Sequence, residues 1–148
     1  MTENRRQAVL LMAEDNDDDF LLARSALEEA RLLNDLRRVR DGVELLAYLR
    51  HEPPFDDAAA NPLPALILLD LNMPKVDGRE ALSQIRNDPA ICHIPVVILT
   101  SSTAPEDVQQ AYRLGVNSYI AKPVTFAGLV AALRILGFYW FELVVRPE

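Results

Sequence analysis

What the sequence lacks narrows the possibilities before any motif is considered. Cys92 is the only cysteine among 148 residues, so the chain cannot form an internal disulfide, and we expect a reducing compartment. Lys and Arg number 15 against 22 Asp and Glu, and the net charge of −7 argues against a nucleic-acid-binding protein. The N-terminus, MTENRRQ, is polar and lacks the hydrophobic segment of a secretory signal. We therefore predict a cytoplasmic protein.

The sequence also lacks internal repeats and low-complexity segments. Half of the residues are hydrophobic and a quarter are charged, which suits one domain with a sizeable core. A local basic cluster, formed by Arg31, Arg37, Arg38 and Arg40, is interpreted as a solvated helix end and strand edge, because no aromatic residues alternate with it. We expect a single domain over residues 1–148.

The chain is organised around residues 66–74, LILLDLNMP. The first four residues form an unbroken apolar run of strand length, which is typical of a strand buried on both faces of a parallel sheet. The run stops at Asp70, and Asp77 and Gly78 then predict a turn into a helix. A carboxylate at the carboxyl end of a central parallel strand lies where open α/β sheets bind ligands. Taken alone, Asp70 would be interpreted as a strand-end residue that caps the loop amides, and the rest of the sequence overturns that interpretation.

Strands alternate with helices five times along the chain. Apolar runs predict strands at residues 8–13, 36–40, 66–69, 94–100 and 118–121. Helical spacing predicts helices at residues 18–31, from 42, at 78–87, from 105 to 114 and from 125. Thr103 and Glu106 have the spacing of a capping box for the fourth helix, and Gly115 is expected to end it. The alternation is typical of an α/β fold, a doubly wound parallel sheet with helices on both faces.

Residues 51–64, HEPPFDDAAANPLP, interrupt this alternation. Four prolines and two aspartates in this segment predict a long surface loop. His51 and His93 both lie in loop-like contexts, and we interpret them as structural or solvated residues.

Four of the five predicted strands end in reactive side chains. These are Glu14 with Asp15, Asp70, Thr100 and Lys122. Because the carboxyl ends of parallel strands share one edge of a sheet, we expect these side chains to converge.

The converging residue types point to a specific chemistry. Glu14, Asp15 and Asp70 would repel one another unless a proton or a cation neutralises them. Carboxylates with no neighbouring Cys or His suit a hard ion such as Mg²⁺. Lys122 and Thr100 could then bind the oxygens of a transferred phosphoryl group. Asp70 would be the nucleophile and would form an aspartyl phosphate.

Four segments at these strand ends resemble the receiver domains of two-component response regulators. They are AEDN at 13–16, DLNMPKVDG at 70–78, LTSS at 99–102 and SYIAKP at 118–123. The resemblance covers about residues 8–136, with its landmarks in order. It implies a flavodoxin-like, five-stranded sheet with strand order 2-1-3-4-5.

The resemblance implies roles for the acidic residues. Asp70 would receive a phosphoryl group from a histidine kinase. Asp15, Asp70 and the backbone carbonyl of Asn72 would bind Mg²⁺, and Glu14 would contribute through water.

The resemblance also implies roles on the last two strands. Lys122 would contact the phosphoryl group, across a cis peptide to Pro123. Thr100 and Tyr119 resemble a switch pair, in which the hydroxyl moves toward the phosphoryl group and the aromatic ring turns inward. Tyr119 alone is also compatible with a half-buried aromatic residue on an edge strand.

Other classes of protein explain part of the pattern. A phosphatase of the haloacid dehalogenase type also uses a strand-end Asp with Mg²⁺, but it needs a second Asp two residues later as general acid, and this chain has Asn72 there. A flavodoxin-like cofactor binder would need a phosphate-cradling loop after the first strand, where this chain has EDNDDD. A degenerate receiver that only binds partners is disfavoured because every expected reactive residue is present. We therefore expect a phosphoacceptor that catalyses only its own phosphoryl transfer and dephosphorylation, rather than an enzyme.

Residues 126–145 are unusually apolar. Arg134 and Glu142 are the only charges, and the apolar residues surround the expected helix rather than forming one stripe. Two charges inside a membrane span would be costly, so we expect a protein partner instead, with about residues 137–148 as an apolar extension.

The long loop, the lack of an output domain and the aromatic tail resemble the small single-domain regulators that work beside bacterial and cyanobacterial phytochromes. This resemblance implies a phytochrome histidine kinase as phosphodonor. It also implies a homodimer through the C-terminal third, built on the fourth helix, the fifth strand and the fifth helix.

Overall fold

The computed structural model describes residues 9–32, 35–73, 75–122 and 125–137. Within these ranges, the strands are β1 (Val9–Ala13), β2 (Asp35–Val39), β3 (Leu66–Leu69), β4 (Val96–Thr100) and β5 (Ser118–Ala121). The helices are α1 (Asp17–Glu29), α2 (Gly42–Leu49), α3 (Gly78–Arg86), α4 (Pro105–Arg113) and α5 (Phe126–Gly137).

The strands form one parallel sheet in the order β2-β1-β3-β4-β5. This order confirms the doubly wound α/β fold and the strand order expected from the sequence. On β1, for example, Leu11 lies opposite Arg37 of β2 and Ile67 of β3. The central strands are therefore hydrogen-bonded on both sides, and their carboxyl ends lie along one edge.

Helices cover both faces of the sheet. Leu11 and Ile67 point to the face covered by α2, α3 and α4, while Met12 and Leu68 point to the face covered by α1 and α5. This alternation explains why β1, β3 and β4 are apolar apart from Thr100 at the end of β4, because neither set of side chains meets water.

Polar caps begin three of the helices immediately after the sheet edge. Asn16 accepts a hydrogen bond from the backbone N–H of Asp19 (2.9 Å), and Asp41 and Asp77 cap α2 and α3 in the same way. The predicted capping box of Thr103 and Glu106 is wrong. The N-cap of α4 is Ala104, without a side-chain cap. Pro105 explains the shift, because it occupies the start of the helix and disfavours helical geometry in the residue before it.

Residues 51–64 form the predicted surface loop, without a regular helix or strand. The loop is attached to α2 by Tyr48, whose hydroxyl donates to the Pro62 carbonyl (2.8 Å) and whose ring lies 5.2 Å from that of Phe55. A nitrogen of the His51 ring lies 2.8 Å from the Asn61 carbonyl oxygen, which agrees with a structural role for this histidine.

Helix α5 buries one stripe and exposes the rest of its apolar surface. Leu129, Val130, Leu133 and Leu136 are buried against the sheet and α1, whereas Ile135 is 74% exposed. The predicted extension beyond residue 137 and the peptide bond to Pro123 lie outside the described residues. Among the residues described, no helix has the length and apolar character needed to cross a membrane.

Candidate functional site

The acidic residues predicted at the strand ends lie together in the structure. Carboxylate oxygens of Glu14, Asp15 and Asp70 are all within 4.8 Å of one another. Glu14 and Asp70 are buried, whereas Asp15 is exposed. The cluster therefore has a buried floor and one side open to solvent.

Backbone pairing beyond the strands sets the position of these residues. The N–H of Glu14 donates to the Val39 carbonyl (3.0 Å), and the N–H of Asp70 donates to the Ala13 carbonyl (3.2 Å). The N–H of Lys122 likewise donates to the Thr100 carbonyl (2.7 Å). The sheet therefore holds the backbone of all three reactive residues one position past the end of a strand.

Asp70 accepts hydrogen bonds on a single carboxylate oxygen. The Thr100 hydroxyl and the backbone N–H of Asn72 both donate to Oδ1, at 3.0 and 3.2 Å. The other oxygen, Oδ2, lies 3.8 Å from Nζ of Lys122. The predicted acceptor, hydroxyl and lysine are thus brought together.

Gly78 permits the loop after Asp70 to close tightly. A Cβ atom at this position would lie 2.5 Å from the Asp70 carbonyl oxygen and 2.7 Å from Cα of Leu71. The N–H of Gly78 donates to the Leu71 carbonyl (3.0 Å), so helix α3 begins directly against the end of β3. A side chain at this position would push the two apart.

The surroundings of Glu14 disfavour its ionised form. Burial, together with the negative charge of Asp70, raises the pKa of Glu14 to about 7, although Lys122 acts in the opposite direction. One of its oxygens lies 2.8 Å from Nζ of Lys122, and the other accepts a 3.3 Å hydrogen bond from the N–H of Asn16. One lysine does not fully neutralise the cluster.

Lys122 is shared among three carboxylates. Its Nζ lies 2.8 Å from Glu14, 3.2 Å from Asp19 and 3.8 Å from Asp70. Burial disfavours the charged lysine, but the hydrogen bond and charge of Glu14, with the charges of Asp70 and Asp19, outweigh it and raise the pKa of Lys122. The sequence analysis missed Asp19, because it stands in a run of three aspartates that opens a helix.

The donor set of this cluster fits a hard divalent cation. It consists of carboxylate oxygens with no Cys or His among them, and carboxylates outnumber the one lysine. Additional positive charge here would reduce the repulsion among carboxylates that lie within 4.8 Å of one another.

Tyr119 is linked by hydrogen bonds, through Ser102 and Asp107, to the first turns of α3 and α4. Its hydroxyl donates to the Ser102 carbonyl (3.0 Å), and its half-buried ring packs against the core under α4. The Ser102 hydroxyl and the Arg79 guanidinium both donate to Asp107 in the first turn of α4. These two hydrogen bonds, with Ser102 the stronger influence, lower the pKa of Asp107. The sequence analysis missed Arg79 and Asp107, whose pairing spans 28 positions.

The basic cluster differs in part from its predicted solvated state. Arg31 and Arg40 are exposed, as expected. The Arg38 side chain is only 14% exposed, and its guanidinium carbon lies 4.8 Å from the centre of the Phe20 ring. Arg38 is therefore an internal residue beside the acidic cluster, because the ring of Phe20 and the first turn of α1 cover it.

Comparison with known proteins agrees with this geometry. The model of the response regulator receiver domain family matches residues 10–134. Response regulator Rcp1 of Synechocystis sp. is 36% identical over 145 residues, which cover 98% of this chain and 97% of that protein. The structure of Rcp1 in its Mn²⁺-bound form has a TM-score of 0.84 to this chain, with 95% of this chain and 99% of that one covered.

Two further solved structures are similar over nearly their whole length. Response regulator RPA3017, in red light signalling of R. palustris, has a TM-score of 0.90 and 36% identity, covering 95% of this chain and 99% of that one. The phosphorylated cyanobacterial phytochrome response regulator RcpA has a TM-score of 0.86 and 37% identity, covering 96% of this chain and 99% of that one.

Proposed function

The chain belongs to the response regulator receiver domain family, and we propose that it signals by accepting a phosphoryl group on Asp70. The observation that carries the proposal is the arrangement around this carboxylate. A buried Asp70 lies within 4.8 Å of two further acids, accepts a hydrogen bond from Thr100 and has the Lys122 ammonium 3.8 Å away.

In the proposed reaction, a carboxylate oxygen of Asp70 attacks the phosphorus of a phosphohistidine on a sensor histidine kinase. An O–P bond forms while the N–P bond breaks, and the leaving histidine nitrogen takes the electron pair. Lys122 would move from Glu14 and Asp19 toward the new phosphoryl oxygens, since it already lies between these acids and Asp70. The chain would catalyse only this transfer and its own dephosphorylation, in keeping with a family of signalling proteins.

We propose Mg²⁺ as the metal of the site, held by Asp15, Asp70 and the backbone carbonyl of Asn72, with Glu14 contributing through water. The oxygen-only donors support this choice, and the relative Rcp1 has a Mn²⁺-bound form. The bound cation would neutralise the carboxylates and allow them to receive a dianionic group.

Thr100 and Tyr119 are proposed to convert phosphorylation into a surface change. The Thr100 hydroxyl would exchange its contact with Asp70 for one with a phosphoryl oxygen. That exchange gives it an interaction that exists only in the phosphorylated state. Tyr119 would respond through Ser102, which also bonds Asp107 at the start of α4.

The phosphodonor is proposed to be a phytochrome histidine kinase. Support comes from the relatives, because RcpA is a phytochrome response regulator and RPA3017 acts in red light signalling. The predicted cytoplasmic location and the single domain over residues 1–148, with its apolar extension from 137, remain predictions that accompany this proposal.

Acetyl phosphate, a small phosphodonor, tests the acceptor directly. With Mg²⁺ present, intact-protein mass spectrometry should show one added phosphoryl group on the wild-type chain and none on Asp70→Asn. Asp56→Asn, the same change at an exposed loop position, should be phosphorylated like the wild type. Undiminished modification of Asp70→Asn would overturn the assignment, and an unchanged rate in EDTA would overturn the metal requirement.

We also propose a homodimer through the C-terminal third. The outer face of α5 exposes Ile135 (74%) and Phe126 (41%), and α4, on the other face of the sheet, exposes Tyr112 (51%). Ile135→Lys should shift the sedimentation coefficient from dimer to monomer. Val43→Lys, at a half-exposed position of α2, should leave it unchanged. A wild-type chain that stays monomeric at high micromolar concentration, phosphorylated or not, rules the dimer out.

A further inference from the structure

We propose that Arg38 is a positioning residue for the divalent cation: it holds the backbone on both sides of Asp15, and so keeps that carboxylate beside Asp70. The inference rests on the proposed metal site, which it deepens by adding a residue that contacts neither the cation nor the phosphoryl group.

The guanidinium of Arg38 spans the loop between β1 and α1. Its Nε donates to the carbonyl oxygen of Glu14 (2.9 Å), and its Nη1 donates to the carboxylate of Asp17 (2.8 Å). Glu14 immediately precedes Asp15, and Asp17, two residues after Asp15, is the first residue of α1. One planar group therefore joins the two ends of the segment that carries Asp15.

Asp15 needs such support because its own side chain is exposed. The backbone on either side must then determine where its carboxylate lies. On the side of β1, the carbonyl of Glu14 is fixed by Arg38 and the N–H by Val39. On the side of α1, the carboxylate of Asp17 accepts a hydrogen bond from Nη1 of Arg38 (2.8 Å).

Arg38 is also held rigidly enough to act as a support. Its side chain is 14% exposed and lies over the ring of Phe20, at 4.8 Å from the ring centre. Within the described residues, its remaining nitrogen, Nη2, is buried without a hydrogen-bond partner. The hydrogen bonds that orient the guanidinium are therefore those of Nε and Nη1.

Arg40 supplies a matched control. It donates to the same oxygen of Asp17, Oδ1, at 2.9 Å, but its side chain is 58% exposed and, among the described contacts, it is not bonded to Glu14. Replacing either arginine removes one positive charge near the acidic cluster. Only the replacement of Arg38 removes the link across the loop.

The sign of the effect on Mg²⁺ binding separates positioning from charge. Loss of a nearby cation reduces repulsion of Mg²⁺, so a purely electrostatic role predicts equal or tighter binding by Arg38→Met. A positioning role predicts the opposite, and loss of such support for a metal ligand typically weakens binding by about tenfold or more. Met retains an apolar stem for the contact with Phe20.

The experiment titrates Mg²⁺ alone into each variant by isothermal titration calorimetry, with urea unfolding as a check that each is folded. We expect Arg38→Met to weaken binding by about tenfold and Arg40→Met to bind as tightly as the wild type or tighter. Arg38→Lys keeps the charge without the planar fork, and it should show an intermediate loss. If Arg38→Met does not fold, Arg38→Lys decides the question.

Each outcome has one meaning. If Arg38→Met binds Mg²⁺ with wild-type affinity, the positioning role is overturned. If Arg38→Met does not fold, wild-type affinity in Arg38→Lys overturns it. In that case the proposed function still stands, provided that acetyl phosphate phosphorylates Asp70. A wild-type chain that binds no Mg²⁺ overturns the metal site, and the role of Arg38 falls with it. Equal weakening in Arg38→Met and Arg40→Met would assign the effect to Asp17 alone and would also overturn the proposal.

Discussion

Two partly buried cations lie at opposite ends of the sheet and are held in different ways. Lys122 follows β5 at the carboxyl edge, where its nearest partners are the carboxylates of Glu14, Asp19 and Asp70. Its positive charge is shared among anions that repel one another.

Arg86 ends helix α3 near the amino ends of β4 and β5, and its hydrogen-bond partners among the described residues are all neutral. The guanidinium donates to backbone carbonyls and to one side-chain amide: Gly115 (2.8 Å), Cys92 (2.9 Å), Ile94 (2.7 Å) and Asn117 (3.0 Å). Burial lowers the pKa of Arg86, since no carboxylate compensates the loss of solvent. Lys122 shows the opposite shift, because its carboxylates outweigh the effect of burial and raise its pKa.

The difference separates a structural cation from an exchangeable one. The guanidinium of Arg86 donates to oxygens in the segments that precede β4 and β5, so this residue holds α3, β4 and β5 together. Lys122 has three carboxylates within 3.8 Å, and in the proposed reaction it leaves two of them for a phosphoryl oxygen. A buried cation surrounded by excess carboxylates therefore indicates chemistry, while one surrounded by neutral oxygens indicates architecture.

The largest expected effect is on reactivity. Lys122→Met should slow phosphorylation by acetyl phosphate about 100-fold or more, since a positive charge aimed at the developing charge is lost. Arg86→Met, assayed where it remains folded, should react at the wild-type rate. The rate is measured by intact-protein mass spectrometry over time. Equal rates of phosphorylation in Lys122→Met and wild type would contradict the proposed role of Lys122 in the reaction.

The next effect is on stability, and here replacing Arg86 should matter more than replacing Lys122. Arg86→Met should lower the free energy of unfolding by about 2 kcal/mol, because several acceptors lose their donor. Lys122→Met should cost less, since Glu14, whose pKa is already raised to about 7, can take up a proton when the lysine is lost. Urea denaturation measures both. A larger loss in Lys122→Met than in Arg86→Met would contradict the assignment of Arg86 as the structural cation.

The raised pKa of Glu14, one of the partners of Lys122, predicts that the stability of the fold depends on pH. The pKa of Glu14 is raised from 4.5 to about 7, so the folded state holds this proton more tightly than the unfolded state. In EDTA, the contribution of Glu14 to stability should therefore be complete below about pH 4.5 and be lost as the pH rises to about 7.

After allowance for solvent screening, this loss should be on the order of 1–2 kcal/mol. Glu14→Gln should remove that part of the slope, and Glu29→Gln, at an exposed position of α1, should retain it. The test is urea unfolding across this pH range. The same slope in Glu14→Gln and wild type would show that another group titrates.

The smallest effect concerns the exposed partner of Lys122. Asp19→Asn removes a carboxylate 3.2 Å from Nζ, whereas Asp18→Asn removes the same charge from the same helical turn at an exposed position. Asp19→Asn should be less stable than Asp18→Asn by about 0.5 kcal/mol in low salt, and the difference should shrink in high salt. Identical unfolding curves would indicate that Asp19 does not hold Lys122 in solution.

The sequence predicted the strands well where the core dominates. Residues 66–69 and 118–121 were placed correctly as β3 and β5. All four residues of β3 are buried, as expected of an apolar run inside a parallel sheet. Strand β4 begins at Val96 rather than at residue 94. Pro95 explains the difference, because it has no N–H to donate to a neighbouring strand, although its carbonyl accepts from Ile67.

The candidate site was also predictable in its main residues. Glu14, Asp15, Asp70, Thr100 and Lys122 converge because parallel strands place their carboxyl ends at one edge, and residue type then indicates the chemistry. The order of the strands, by contrast, came from resemblance to a family, since periodicity alone does not order a sheet.

The sequence by itself thus determined which residues form strands, which edge carries the acids and which chemistry those acids suit, because these follow from local hydrophobic pattern and residue type. Only the tertiary structure decided that Lys122 contacts Glu14 across 108 positions and Asp19 across 103, and that Arg38 is internal rather than solvated. Such contacts depend on how helices pack on the sheet and on which rotamer each long side chain adopts. Neither property is encoded in the spacing of residues along the chain.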